Sequence, residues 1–233
     1  MPESRMPESG MPESGTRLPG VASVEFGELV DERSTVKVLS SEVEFHGHVW
    51  DVRRDHFEYG SGTIAREYVD HTGAVAILAL DDEDRAMLIR QYRHPIARRD
   101  WEIPAGLLDI EGEDPLVAAQ RELAEEVELQ ASEWSVLTDI FTSPGGSSEA
   151  IRIYLARGLS ATSAFDRTEE EAELETRWVS LDDAVDAILD RRLGNSILGI
   201  AVLTAHASRQ RRWSSLGDAN AEWPERPRFG ARG

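Results

Sequence analysis

The stretch PAGLLDIEGEDPLVAAQRELAEEVEL, residues 104–129, decides how the rest of the chain is read. It opens as a glycine-containing loop and turns into a helix. Asp114 is placed to cap that helix and Pro115 to occupy its first turn, where a missing N–H does no harm. Leu116, Ala119, Leu123 and Val127 recur at helical spacing and predict the buried stripe. Residues 121–128 carry four glutamates, Glu122, Glu125, Glu126 and Glu128. Glu122, Glu125 and Glu126 stand at i, i+3 and i+4 and therefore share one face. Like charges so spaced disfavour a helix by a few tenths of a kcal/mol per pair. A hard divalent cation would remove that repulsion, since Mg²⁺ and Mn²⁺ take carboxylate oxygens and retain water for substrate phosphates. Taken alone, three clustered acids also read as a solvated helix face.

The spacing around the glutamates gives the stretch its specificity. Gly106 is followed after six residues by Glu113, and Glu113 after seven by Arg121-Glu122-Leu123-x-Glu125-Glu126-x-x-Leu129. This resembles the signature of the Nudix hydrolases, Gly-x5-Glu-x7-Arg-Glu-U-x-Glu-Glu-x-Gly-U with U apolar. Two positions depart from it. The gap between Gly106 and Glu113 is one residue longer, as in several ADP-ribose-cleaving members. Glu128 stands where the signature has its closing glycine, so either Glu128 adopts a left-handed conformation at roughly 1 kcal/mol of strain or the helix runs on.

The resemblance extends over roughly residues 45–208. REYVDHTGAVAI (66–77), QYRH (91–94), WEIPAGLLD (101–109) and FTSPGGSSE (141–149) are similar to the ADP-ribose pyrophosphatase subgroup, with Pro144 sixteen residues beyond position 128. The resemblance implies Mg²⁺-dependent hydrolysis of ADP-ribose to AMP and ribose 5-phosphate, with Mn²⁺ as an alternative to Mg²⁺. It places metal at Glu122, Glu126 and the Ala105 carbonyl, with Glu125 as a third carboxylate that also counts among the catalytic acids. It casts Gly106, Glu113 and Arg121 as supports of the motif. Substrate would meet Trp50, Arg66, Glu67, Arg93, Leu107, Ser143, Pro144, Gly145 and Glu149. The general base would lie on a loop resembling TEEEAELE (168–175), at Glu171 or Glu170, with Glu171 preferred. From the residues alone, Trp50 also reads as core, Arg66–Glu67 as a surface pair and Pro144–Gly146 as a plain tight turn. His71 and His94 read as structural or surface histidines with no carboxylate partner to name.

Working outward, residues 34–70 alternate apolar and polar side chains as strands do, with a turn at YGSG. GAVAILALDDEDRAMLIRQYR (73–93) reads as a buried hairpin around an acidic turn at Asp81–Asp84. Two strands flank the Pro-Gly-Gly loop, a short strand follows at RWVS, and LDDAVDAILDRRL and NSILGIAVLTAHASRQ read as helices. The tail from 209 reads as irregular. These elements predict an α/β (α+β) chain, a Nudix-type α/β/α sandwich with a mixed sheet behind an N-terminal antiparallel β region. The expected division is a disordered tail at 1–20, a dimer-forming β region at 21–70, the catalytic domain at 71–208 and a C-terminal tail at 209–233. The MPESRMPESGMPESG repeat cannot form a core, and Met6 or Met11 is an alternative start.

The totals bound the function. The chain has 233 residues, net charge −19 and no cysteine. An acidic chain does not suit nucleic acid or an anionic membrane. The polar N-terminus does not read as a secretory signal, no apolar run is long enough for a membrane helix, and without thiols the cytoplasm is the expected compartment. Lys37 is the sole lysine among 25 basic residues, and arginine forks suit phosphate contacts, although genome bias explains the same count. The resemblance further implies a homodimer, with Arg66 and Glu67 acting across it. Two alternatives stand beside ADP-ribose hydrolysis: another nucleoside diphosphate derivative as substrate, or a non-catalytic Nudix-fold nucleotide sensor, which Glu128 favours and the intact glutamates oppose.

Overall fold

The computed structural model describes residues 29–162 and 174–226. Residues 29–36 are exposed and hold no helix or strand. The remainder, from Lys37, is one compact unit. Its strands are β1 (Val38–Phe45), β2 (Asp51–Tyr59), β3 (Gly62–Asp70), β4 (Ala74–Ala79), β5 (Arg85–Arg93), β6 (Arg98–Glu102), β7 (Ala105–Leu107), β8 (Leu129–Phe141), β9 (Ala150–Ala161), β10 (Glu175–Ser180) and β11 (Gly217–Asp218). The helices are α1 (Pro115–Val127), α2 (Leu181–Leu189) and α3 (Ser196–Gln210).

Three sheets result, ordered β1-β2-β3, β10-β5-β6 and β11-β8-β9-β4-β7. The five-stranded sheet is mixed: β4 runs parallel to β9 and antiparallel to β7. All six residues of β4 are buried, and their alternation sorts them to opposite faces. Ala74, Ala76 and Leu78 pack with Leu181, Ala184, Leu198 and Ala201 of α2 and α3. Val75, Ile77 and Ala79 pack with Ala118, Ala119, Leu123 and Val127 of α1. A strand covered on both sides becomes the middle layer of an α/β/α sandwich, the expected fold class.

The expected hairpin at 73–93 does not form a ladder. The turn is as acidic as expected, with Asp81 Oδ1 accepting from the amides of Glu83 and Arg85. A lone bridge joins Leu80 to Ala86, after which the strands part into different sheets. Both edges of β4 are already taken by β9 and β7, and those of β5 by β10 and β6.

The C-terminal segment is more ordered than its sequence suggested. β11 pairs with β8. The buried Arg152 guanidinium forks onto Asp139 at 2.8 and 2.9 Å and donates to the carbonyls of Ala221 and Glu222, under the Trp223 ring. A desolvated arginine with this many acceptors fixes the segment to the sheet.

Candidate active site

α1 begins as expected: Asp114 is extended and its side chain accepts from the Leu116 amide at 2.9 Å. It ends at Glu128, which has φ 57° and ψ 36° and sends its amide to the carbonyls of Ala124 and Leu123. Of the two expectations for Glu128, the left-handed one holds; glutamate occupies the conformation that glycine takes without strain.

With Ala119, Leu123 and Val127 turned into the core, the flank of α1 beside them presents the acids. Arg121 organises them. Its Nε and Nη2 donate to the two oxygens of Glu113 at 3.1 and 3.3 Å, and Nη1 donates to Glu122 at 2.7 Å and Glu125 at 3.0 Å. These acids, led by the hydrogen bond to Glu113, push the Arg121 guanidinium further up from its ordinary value. Gly106 lies under Glu122: a Cβ there would sit 2.0 Å from the Glu122 Cδ. The motif glycine is thus required by a close approach, not by a turn.

Glu126 is the most deeply placed of the acids. One oxygen accepts from the Ala105 amide at 3.0 Å. Burial, with Glu122 and Glu102 nearby, pushes its carboxyl up to about 8 against that hydrogen bond. Burial likewise raises Glu122, opposed by Arg121. Among the described residues no three acids or histidines already converge as a metal-binding group; Arg121 holds oxygens of Glu122 and Glu125 in the present arrangement. The donor set nonetheless suits a hard cation, being oxygen throughout, with one arginine shared among three carboxylates. An acid held neutral by burial and by neighbouring acids ionises readily once a cation replaces its proton.

Arg93 forks onto the buried Glu102, both contacts at 2.7 Å, and Gln91 donates to the same carboxylate. Leu107 pairs with Ala74 and packs on the α2–α3 side of the sheet. Sequence reasoning missed Glu102, a lone acid before Ile-Pro with no periodic signal.

A second cluster lies where β3 meets the loop after β8. Ser143 closes a turn by accepting from the amides of Gly146 and Ser147, with Pro144 and Gly145 at its tip. The turn reading is therefore correct as far as it goes. The same loop is tied to β3 through Val69 N–H to Gly146 O at 2.9 Å and Ser148 N–H to Val69 O at 3.0 Å. Glu149 sits 3.2 Å from His71 Nε2 and accepts from Thr142 on its other oxygen. His71 thus has the carboxylate partner the sequence did not disclose, 78 residues away. Burial lowers the His71 pKa although Glu149 opposes the shift. Trp50 stacks on His71 with ring centroids 5.2 Å apart and is 43% exposed, which removes the core reading. This cluster joins the first through β4 and β7: Leu108 N–H donates to Gly73 O, and the strand it follows carries Gly106 against Glu122.

Arg66 and Glu67 stand apart, on the exposed N-terminal sheet. Glu67 pairs with Arg54 at 2.8 Å rather than with Arg66, which donates to the Ala65 carbonyl. His94 lies on the surface beside Tyr92. Glu170 and Glu171 lie outside the described residues, as does the 1–20 tail. One contact was not legible at all: Arg226 donates at 2.7 Å to the carbonyl of Glu113, so the C-terminal segment reaches the residue that anchors Arg121.

The NUDIX domain family matches residues 70–197, and the chain belongs to that family. It is similar to an ADP-ribose pyrophosphatase of Mycobacterium tuberculosis (strain ATCC 25618 / H37Rv), 42% identical over 198 residues, 84% of this chain and 95% of that protein. It is also similar to an ADP-ribose pyrophosphatase of Bacillus subtilis (strain 168), 35% identical over 71% of this chain and 90% of the relative. A methanol dehydrogenase activator of Bacillus methanolicus is 37% identical over 76% and 93%. A crystal structure described as an ADP compounds hydrolase superposes with TM-score 0.66 at 22% identity, covering 78% of this chain and 98% of that one, which establishes likeness of fold. Nudix hydrolases as a family use divalent metal, and this chain is one of them. No helix among the described residues is long and apolar enough to cross a membrane.

Proposed function

We propose that the chain hydrolyses the diphosphate of ADP-ribose to AMP and ribose 5-phosphate, with Mg²⁺ as its metal and Mn²⁺ as a substitute. The observation that carries the reading is the acidic face of α1. Glu122, Glu125 and Glu126 are gathered by the Arg121–Glu113 fork, with Glu126 buried far enough to hold its carboxyl near 8. Relatives at 42% and 35% identity named ADP-ribose pyrophosphatases point to the substrate.

Glu122, Glu125, Glu126 and the Ala105 carbonyl would hold the metal. When bound, the cation supplies neutralising charge to the diphosphate oxygens and lowers the pKa of water. The protein's part is positioning. Arg121 and Glu113 hold the acids, and Gly106 leaves Glu122 its room. Arg93, oriented by Glu102, offers cationic charge to a phosphate. Trp50 supplies a ring for adenine, and the Ser143-Pro144-Gly145 turn and Glu149 face the ribose and phosphate side, with Leu107 behind. Water attacks one phosphorus, the bridging P–O bond breaks, and Glu171 takes the proton of the water, with Glu170 as its substitute.

The enzyme works in the cytoplasm as a homodimer. Exposed Val38, Leu39, Phe45 and Val49 along β1 and the following turn support a second copy at the N-terminal sheet, where Arg66 and Glu67 would reach the partner's substrate. The test is purified protein with ADP-ribose and Mg²⁺, products resolved by chromatography and size by light scattering. AMP with ribose 5-phosphate from a dimer is expected. Turnover confined to other nucleoside diphosphate derivatives would move the substrate. Tight ADP-ribose binding without turnover would favour a sensor.

A further inference from the structure

His71 is buried at 7% exposure, and every polar atom of its ring and amide is committed. Nδ1 accepts from the Gly73 amide at 3.0 Å, so the ring proton lies on Nε2. Nε2 faces Glu149 Oε1 at 3.2 Å. The His71 amide donates to Ser148 Oγ at 2.9 Å, and that hydroxyl donates on to Val69 O. One ring face is stacked by Trp50 at an interplanar angle of 26°. Thr142 holds the second oxygen of Glu149. Each Glu149 oxygen therefore has one protein donor and keeps lone-pair capacity for another.

We propose that His71 is a positioning residue that fixes the Trp50 ring and the Glu149 carboxylate as one rigid unit for a nucleoside. The ring receives a purine base and the carboxylate accepts from a ribose hydroxyl. The histidine itself touches neither. This rests on the reading of the site as one for ADP-ribose, and it adds a residue whose effect falls on affinity rather than on cleavage. The physical reason is preorganisation. Trp50 lies just before β2, and Glu149 lies at the end of a loop after β8. Neither is held by regular structure, and an unfixed pair would have to be ordered at each binding event.

The experiment uses the full-length protein and measures KM and kcat for ADP-ribose with Mg²⁺, together with AMP affinity by calorimetry without metal. His71→Asn keeps an acceptor for the Gly73 amide and loses the donor to Glu149. His71→Phe keeps the ring and loses both. His71→Gln restores a donor without the ring. For Asn and Phe the expected result is KM and AMP Kd raised about tenfold, the loss of one hydrogen bond to a charged group, with kcat within about twofold and partial recovery in His71→Gln. Folded variants with unchanged KM and AMP affinity would overturn the proposal. Should the His71 variants not fold, Trp50→Leu, Glu149→Gln and the double variant decide. A rigid unit gives non-additive losses of AMP affinity, by about threefold or more. Additive losses would overturn it. Wild-type protein that binds AMP but leaves ADP-ribose intact would sink the ADP-ribose reading alone, because the AMP measurements still judge His71.

Discussion

The two halves of the site are built by different means. The acidic half is local: Arg121, Glu122, Glu125 and Glu126 lie within two turns of one helix, and Glu113 is on the loop that enters it. The half proposed to hold the nucleoside is assembled across the fold, from Trp50, His71 and Glu149 on three separate segments. A local site can be strained and repulsive, because the helix holds it whatever the charges do. A distributed site has no such scaffold and depends on each hydrogen bond between segments. Damage to the first half should therefore appear in turnover, and damage to the second in affinity.

The largest effect that would break this division concerns the base. Glu171→Gln should lower kcat by roughly 10²–10⁴-fold, the usual contribution of a positioned base, and leave ADP-ribose affinity near wild type. A fully active variant would put the base elsewhere. Next is Gly106→Ala, whose Cβ would meet the Glu122 carboxylate at 2.0 Å. The displaced acid should cost about 10²-fold in kcat with the circular dichroism spectrum unchanged.

A smaller effect sharpens the electrostatic side. Burial and the nearby Glu122 and Glu102 raise the Glu126 carboxyl to about 8, against an ordinary 4.5 in the unfolded chain. The folded state therefore binds this proton more tightly. That contribution to stability is complete below pH 4.5 and is lost as pH rises through 8. Metal-free protein should lose thermal stability across that window, and Mg²⁺ should restore it increasingly towards the alkaline end. A flat metal-free profile would mean that Glu126 is already ionised in the fold. The smallest effect is at the helix end. Glu128→Gly should relieve about 1 kcal/mol of left-handed strain and raise Tm by roughly 2–4 °C, with kcat unchanged.

The same division explains what the sequence disclosed. The spacing from Gly106 to Leu129 was legible because the contacts among Gly106, Glu113, Arg121, Glu122 and Glu125 are short-range, and Asp114 and Pro115 marked the helix start through local capping chemistry. The face-splitting of β4 was foreshadowed by its unbroken apolar run, which suits a strand covered on both sides. The parting of β4 and β5 was not legible, since it depends on β9 and β10, far along the chain, claiming their edges. His71 looked inert for the same reason: its partner Glu149 is brought to it by the loop pairing at Val69. Nothing local marks Arg152 as the anchor of the C-terminal segment, or Arg226 as a contact of the motif loop. TEEEAELE, which would hold the base, lies largely outside the described residues.

The measurement that bears most directly on the account compares wild type with Glu126→Gln, both given ADP-ribose and Mg²⁺, with products resolved and ADP-ribose binding measured separately. The account predicts AMP and ribose 5-phosphate from wild type. For Glu126→Gln it predicts turnover reduced roughly a thousandfold, as expected when several kcal/mol of metal-derived stabilisation is lost, with ADP-ribose still bound through the Trp50–Glu149 half. Turnover by Glu126→Gln at the wild-type rate would contradict it, because the acidic face of α1 would then not be the seat of the chemistry.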